Sequence, residues 1–126
     1  MSTDPHIIEV ELYLNDSAPG TGNTGGANFT YTFVPDLVHV DKKDTDIVYR
    51  ISEQDWPRFQ MADMYTTDVH DQLHGVNIIE DGRAIRVVHR NSRKQLTIVS
   101  IKVNDTQSKA RLDCDPQVTN DPPPVF

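Results

Sequence analysis

The sequence has a single cysteine, more acidic than basic residues and no long apolar run. One cysteine cannot form an internal disulfide, so this 126-residue chain depends on apolar burial, for which its length suffices. No stretch approaches the roughly 20 apolar residues that span a bilayer, which predicts a globular protein without a membrane partner. The opening stretch MSTDPHIIEVELYL lacks the pattern of a secretory signal, so we expect a cytoplasmic protein.

Basic residues are few: 12 Lys and Arg stand against 19 Asp and Glu, for a net charge of -7. Phosphate backbones are repelled by such a chain unless its cations cluster. They do so in RVVHRNSRK at residues 86–94, around a predicted turn at Asn91 and Ser92. Because no aromatic residues are interleaved there, we interpret this stretch as a solvated hairpin tip and predict no nucleic-acid partner.

Apolar and polar residues alternate along most of the chain, a period of two that is typical of strands packed on one face. In HIIEVELYL, for example, Ile8, Val10, Leu12 and Leu14 face one way. The sequence EDGR predicts a hairpin through Asp81 and Gly82. Strands are predicted at residues 7–14, 28–34, 37–40 and 46–51, in the hairpin 76–90, at 94–103 as a central or bulged strand, and at 109–114.

Seven or eight short strands predict an all-β fold, an antiparallel sandwich of immunoglobulin-like or Greek-key type, with a closed small barrel as the alternative. We expect one domain over residues 1–126, with a long irregular loop at 52–75 where the alternation is lost. The Gly-rich stretch 15–27 precedes a strand rather than a helix and has no lysine, so it predicts a flexible connection and not a phosphate cradle. Residues 116–126 are Pro-rich and predict an extended tail.

The run FTYTFVPDLVHVDKKDTDIVYRI, residues 29–51, resembles the opening of the cupredoxins. Those are Greek-key sandwiches that hold copper through two histidines, a cysteine and usually a methionine. In that family a histidine follows the copper cysteine within a few residues, whereas here Cys114 is followed by DPQVTND. The resemblance therefore implies the fold without the copper site, because the second histidine and the soft axial ligand are missing.

A broader resemblance links YTFVPDLVHV, DTDIVYRI and the terminal DPQVTNDPP to the DP-EP family of small bacterial proteins. That family has no assigned activity, so this resemblance implies a fold and no function. Cys114 itself shares a strand face with Ala110 and Leu112, and Asp113 and Asp115 beside it raise the pKa of its thiol. We predict a small buried side chain and no catalytic role.

The stretch VHDQLHG offers a metal site, since His70 and His74 stand four residues apart. With Asp68 or Asp71 they would form a two-histidine, one-carboxylate set suited to zinc, nickel or iron. The stretch lacks the glutamate of a HExxH protease, and the other interpretation is that both histidines are exposed loop residues.

The predicted loop at 52–75 holds a cluster of aromatic and methionine side chains: Trp56, Phe59, Met61, Met64 and Tyr65. A loop of this length either plugs one end of the sandwich or exposes a contact surface. Our leading hypothesis is a non-enzymatic binding module without a cofactor, which uses the loop at 52–75 and this cluster to contact a protein partner or a ligand of unknown kind. Self-association through an edge strand is part of the same hypothesis. The alternatives are a metal-binding or redox protein using His70 and His74, and a carbohydrate-binding module if Trp56 and Tyr65 share a flat exposed face.

Overall fold

The computed structural model describes residues 6–17, 22, 29–68 and 72–122. Regular structure in these residues consists of strands, apart from one turn of 3-10 helix at Glu80–Gly82. No helix in this part of the chain has the length and apolarity to cross a membrane. The strands are β1 (Ile7–Asp16), β2 (Phe29–Val34), β3 (Leu37–Val40), β4 (Thr45–Ile51), β5 (Phe59–Thr66), β6 (Leu73–Ile79), β7 (Ala84–His89), β8 (Leu96–Asp105), β9 (Arg111–Cys114) and β10 (Gln117–Asn120).

The strands form two five-stranded sheets, and the predicted sandwich is confirmed. The first sheet has the order β2-β1-β4-β7-β6, and the second has the order β3-β10-β8-β5 with β9 also paired to β8. Alternate side chains of both sheets meet in one buried core. Its fully buried members include Leu12, Ile47, Tyr49, Ile51 and Ile85 from the first sheet and Val38, Val40, Val99, Ile101 and Leu112 from the second.

Both sheets are mixed rather than purely antiparallel. Strand β1 runs parallel to β4, with Val10 opposite Tyr49, and β3 runs parallel to β10, with Val38 opposite Val118. The other pairings are antiparallel, as predicted. Alternation tells which side chains are buried but carries no information on strand direction. The chain leaves the first sheet after β2, adds β3 to the second, and returns as β4 alongside β1, which is the crossover that a parallel pair requires.

Strand β8 is central to the second sheet, as the sequence predicted. Strand β5 pairs with one edge of β8, while β10 and β9 pair in succession with the other edge, beside residues 96–98 and 101–104. Strands β9 and β10 are thus collinear, and Asp115 and Pro116 interrupt them. The break stays attached to β8, because the Val99 N–H donates to the Pro116 carbonyl at 3.1 Å.

The prediction of an extended tail at 116–126 is wrong for residues 117–120. They form β10, which pairs with both β3 and β8 and buries Val118. Four residues with only two apolar–polar alternations, set between prolines, are too short a pattern to predict a strand from sequence. Pairing with β3 on one side and β8 on the other makes this segment a strand. Residues 123–126 lie outside the described residues.

The prediction of an irregular loop at 52–75 is also wrong, because it contains all of β5 and the start of β6. A β-bulge hides β5 from the sequence pattern. Met61 is opposite Val103, but the next paired residue is Asp63, opposite Lys102, so Ala62 is inserted without a partner. The insertion shifts the alternation by one residue, which destroys the period of two across the strand. Within 52–75, the described residues outside strands are 52–58, 67, 68 and 72.

The predicted hairpin at Asp81 and Gly82 is confirmed, since β6 and β7 pair antiparallel around the Glu80–Gly82 turn. Gly82 has φ +91, a conformation that residues with a Cβ rarely adopt. The Gly-rich stretch 15–27 lies largely outside the described residues, although β1 extends through Asp16.

Opposite faces of β8 should respond differently to truncation. Ile101→Ala removes a fully buried side chain and is expected to lower the free energy of unfolding by about 2–5 kcal/mol. Ile98→Ala, on the solvent face of the same strand, should change it by less than about 0.5 kcal/mol. Urea denaturation of both variants measures this, and equal losses would show that the faces of β8 are assigned wrongly.

Candidate functional site

The outer face of the second sheet exposes a group of large apolar side chains. These are Leu37, Tyr65, Leu96 and Ile98, with exposed fractions of 46%, 56%, 60% and 42%, and we call them the outer patch. Register brings their strands together: Leu37 is opposite Gln117, Gln117 is opposite Ile98, and Tyr65 is opposite Ser100. Grouped exposed apolar residues of this kind mark interaction surfaces in soluble proteins.

A shallow depression of about 240 Å³ lies within this face, above β8. Ile98 and Ser100 contribute from β8 itself, Tyr65 stands on the β5 side, and Asp115 stands at the break between β9 and β10. Since neighbouring strands are about 4.8 Å apart, the two sides of the depression are separated by about 10 Å. Thr66 and Thr67 complete the lining of what we call the β8 depression.

Of the charged groups around the β8 depression, Lys102 and Asp113 form an ion pair and Asp115 does not take part in one among the described residues. The Lys102 ammonium lies 5.4 Å from the centre of the Tyr65 ring and 2.6 Å from the Asp113 carboxylate. Asp115 is exposed, and within the described residues no cation lies at ion-pair distance from it. The depression therefore combines an aromatic ring and an apolar floor with one carboxylate that is left to face solvent.

Three of the five residues predicted to form a contact surface are core residues instead. Phe59, Met61 and Met64 are only 3%, 5% and 8% exposed, because they are the inward-facing residues of β5. Trp56 is partly buried and packs against the core, and Tyr65 alone of the five is well exposed. The β5 bulge explains this split, since it turns Met64 inward and Tyr65 outward.

Trp56 and Tyr65 do not share a platform for a sugar ring. They stand at opposite ends of β5, whose six steps from Phe59 to Tyr65 cover about 20 Å. Stacking of one carbohydrate ring on both aromatic residues is therefore excluded by their separation.

The predicted metal ligands cannot be assembled from the described residues. His74 lies at the start of β6, and its Nε2 is buried without a hydrogen-bond partner there. His70 and Asp71 fall outside the described residues. Within those residues no group of three His, Cys, Asp or Glu side chains is placed to hold a metal ion. A metal site using His70 and His74 stays a prediction.

The outer face of the first sheet carries a cluster of ion pairs around Arg50. The Arg50 guanidinium contacts Glu9 at 3.0 Å and Glu80 at 2.6 Å. The hydrogen bond from Arg50 holds the pKa of Glu80 below its ordinary value. A depression of about 420 Å³ on this face is lined by Glu11, Tyr13, Ser52, Glu53 and Gln54. The exposed apolar residues of the first sheet stand at strand ends or on the edge strand β6.

The stretch 86–94 is not a hairpin tip, since β7 belongs to the first sheet and β8 to the second. A buried polar cluster holds this crossing in place. The Asn91 N–H donates to His89 Nδ1 at 2.9 Å, and Asn120 Nδ2 donates to Asn91 Oδ1 at 2.7 Å. Gln72 Oε1 accepts the Ser92 N–H at 2.8 Å. Turn signals in the sequence cannot distinguish a hairpin from a crossing between sheets.

Cys114 is buried as predicted and ends β9 facing the core. Burial, with the nearby carboxylates of Asp115 and Asp113, raises the pKa of its thiol to about 12. The thiol is therefore protonated at neutral pH and is not a nucleophile.

Residues 1–81 match the family model described as the Cna protein B-type domain. The match covers β1 to β6 and ends within the turn before β7. No curated protein matches the chain.

The Cys114 thiol should not react in the folded protein. With Ellman's reagent at pH 8 we expect no release of thionitrobenzoate under native conditions and one equivalent after unfolding in guanidinium, because burial blocks access and keeps the thiol protonated. Rapid reaction of the native protein would contradict the buried position.

Acidification should weaken the fold through His89. Burial lowers the pKa of His89 below 6.5, although the charge of Asp68 opposes the shift. Because the pKa of His89 is lower in the folded protein, the unfolded chain takes up the proton at a higher pH. The contribution of neutral His89 to the free energy of unfolding is therefore complete above pH 6.5 and is lost as the pH falls towards the folded-state pKa. The urea midpoint should drop between pH 7.5 and 5.5, and His89→Gln should reduce the drop. If the urea midpoint of the variant falls as much as that of the wild type, groups other than His89 cause the loss of stability.

Proposed function

The chain belongs to the Cna protein B-type domain family, whose members are immunoglobulin-like modules and not enzymes, and we propose that it is a non-enzymatic module that binds a protein partner through the outer patch. The supporting observation is the exposure of Leu37, Tyr65, Leu96 and Ile98 on one sheet face. When a partner covers exposed apolar surface of this kind, the free energy falls because that surface is removed from water.

The position of these side chains on strands favours binding. The inward neighbours of Tyr65 and Ile98 are Met64, Thr97 and Val99, all buried, so the backbone that carries the outer patch is fixed by the core. Binding of a partner then costs little free energy for ordering this surface. Tyrosine is also among the residues that contribute most to protein interfaces.

The Cys114 thiol and the His89 imidazole are both directed into the buried interior. The His39 imidazole, by contrast, lies on the same face as Leu37, where it contacts Asp121 at 3.1 Å. The cytoplasmic location and the resemblance to the DP-EP family stay predictions.

The test compares capture by three forms of the immobilised protein in lysate of the cells that naturally produce it. Ile98→Glu places a charge in the outer patch, and Val76→Glu places the same charge on an equally exposed apolar residue of β6, in the first sheet. We expect proteins captured by both the wild type and Val76→Glu to be depleted about tenfold with Ile98→Glu, the size of a moderate interface contribution.

Urea denaturation of the three forms serves as the control for folding. Equal capture by all three forms, measured by quantitative mass spectrometry, would refute the outer patch as the docking surface. Equal loss in both glutamate variants would do the same, since it would reflect added charge rather than position.

A further inference from the structure

The β8 depression joins two kinds of recognition group. Ile98 and the Tyr65 ring offer apolar surface, and Asp115 offers an exposed carboxylate at the far side, about 10 Å across β8. A ligand that satisfies both must be apolar along its length and cationic at its end. Long basic side chains have this form, because their methylene stems pack on apolar surface while the charged head reaches a polar group.

The backbone that carries the Asp115 carboxylate is held in a defined place. Cys114, before it, is fully buried, and the Pro116 carbonyl, after it, accepts the Val99 N–H at 3.1 Å. Asp115 is thus fixed on both sides at the break between β9 and β10. A preformed charge of this kind binds a cation without the cost of ordering a loop.

The local charge balance favours a cation as well. Asp113 is paired with Lys102 at 2.6 Å, so the ammonium that approaches Tyr65 is already neutralised. Asp115, by contrast, has no cation at ion-pair distance among the described residues, in a chain of net charge -7. A second copy of the chain would bring another net charge of -7 to this face, and the repulsion disfavours self-association there.

From these observations, and resting on the proposed function, we infer that the partner segment seated in the β8 depression carries an arginine, whose stem covers Ile98 and Tyr65 and whose guanidinium pairs with Asp115. Arginine fits better than lysine because its planar guanidinium binds a carboxylate with two parallel hydrogen bonds. The partner is a protein segment with a basic residue flanked by apolar ones.

The test uses a fluorescein-labelled octapeptide of alternating valine and arginine, with the valine–lysine and valine–glutamate peptides as comparisons. Fluorescence anisotropy measures each affinity for the wild type, Asp115→Asn and Glu53→Gln. Glu53 is the matched control, since it is an exposed carboxylate that lines the depression of the first sheet. Both substitutions remove one negative charge.

We expect the arginine peptide to bind the wild type more tightly than the lysine peptide does and the glutamate peptide to show no binding. Asp115→Asn should weaken binding of the arginine peptide by about fivefold, the upper range for an ion pair open to solvent. Glu53→Gln should leave it unchanged. Ser100→Lys, which adds a cation to the β8 depression and keeps Asp115, should weaken binding at least as much.

The outcomes separate the two proposals. Equal weakening by Asp115→Asn and Glu53→Gln would overturn the arginine inference, because attraction would then depend on net charge alone. If Ile98→Glu abolishes capture of the natural partner while Asp115→Asn retains full affinity for the peptide, the outer patch is upheld and the arginine inference fails. A wild-type dimer that Ile98→Glu dissociates, seen by light scattering, would make the occupant a second copy and overturn the inference too.

Discussion

The structure depends on the pairing of β8 with strands on both of its edges. Val99, Ile101 and Val103 of this strand are fully buried in the core, and the residues between them face solvent. Because β5 lies on one edge and β10 and β9 on the other, β8 fixes which side of the second sheet is apolar and buried. The same pairing places Tyr65, Ile98 and Asp115 around one depression. The core and the candidate binding surface therefore lie on the two faces of one sheet, which the same backbone hydrogen bonds hold together.

The sequence predicts the sandwich well where apolar residues recur at every second position, as in β1, β4 and β8. It fails at β5 because the bulge at Ala62 shifts the alternation, and at β10 because four residues between prolines are stabilised only by neighbouring strands. It cannot give the parallel pairing of β1 with β4, since strand direction leaves no trace in periodicity. Of the predicted contact residues, Tyr65 is the only one in the outer patch. Leu96 and Ile98 were missed because an exposed leucine or isoleucine on a strand has the same appearance in sequence as a buried one.

The family match and the candidate surface cover different parts of the chain. Residues 1–81 carry the match to the Cna protein B-type domain, and they include Leu37 and Tyr65. Leu96, Ile98 and Asp115 lie beyond it, on β8 and at the break between β9 and β10. The family therefore accounts for the architecture, whereas the chemistry of the β8 depression depends on residues that the match does not reach.

The unpaired Ala62 leaves the two halves of β5 in one register with β8. Met61 is opposite Val103 and Asp63 is opposite Lys102, so removal of Ala62 would join the halves into a regular strand with the same partners. Met64 would still face inward and Tyr65 outward. An insertion or deletion at this position therefore changes the length of β5 without changing which of its residues the protein displays.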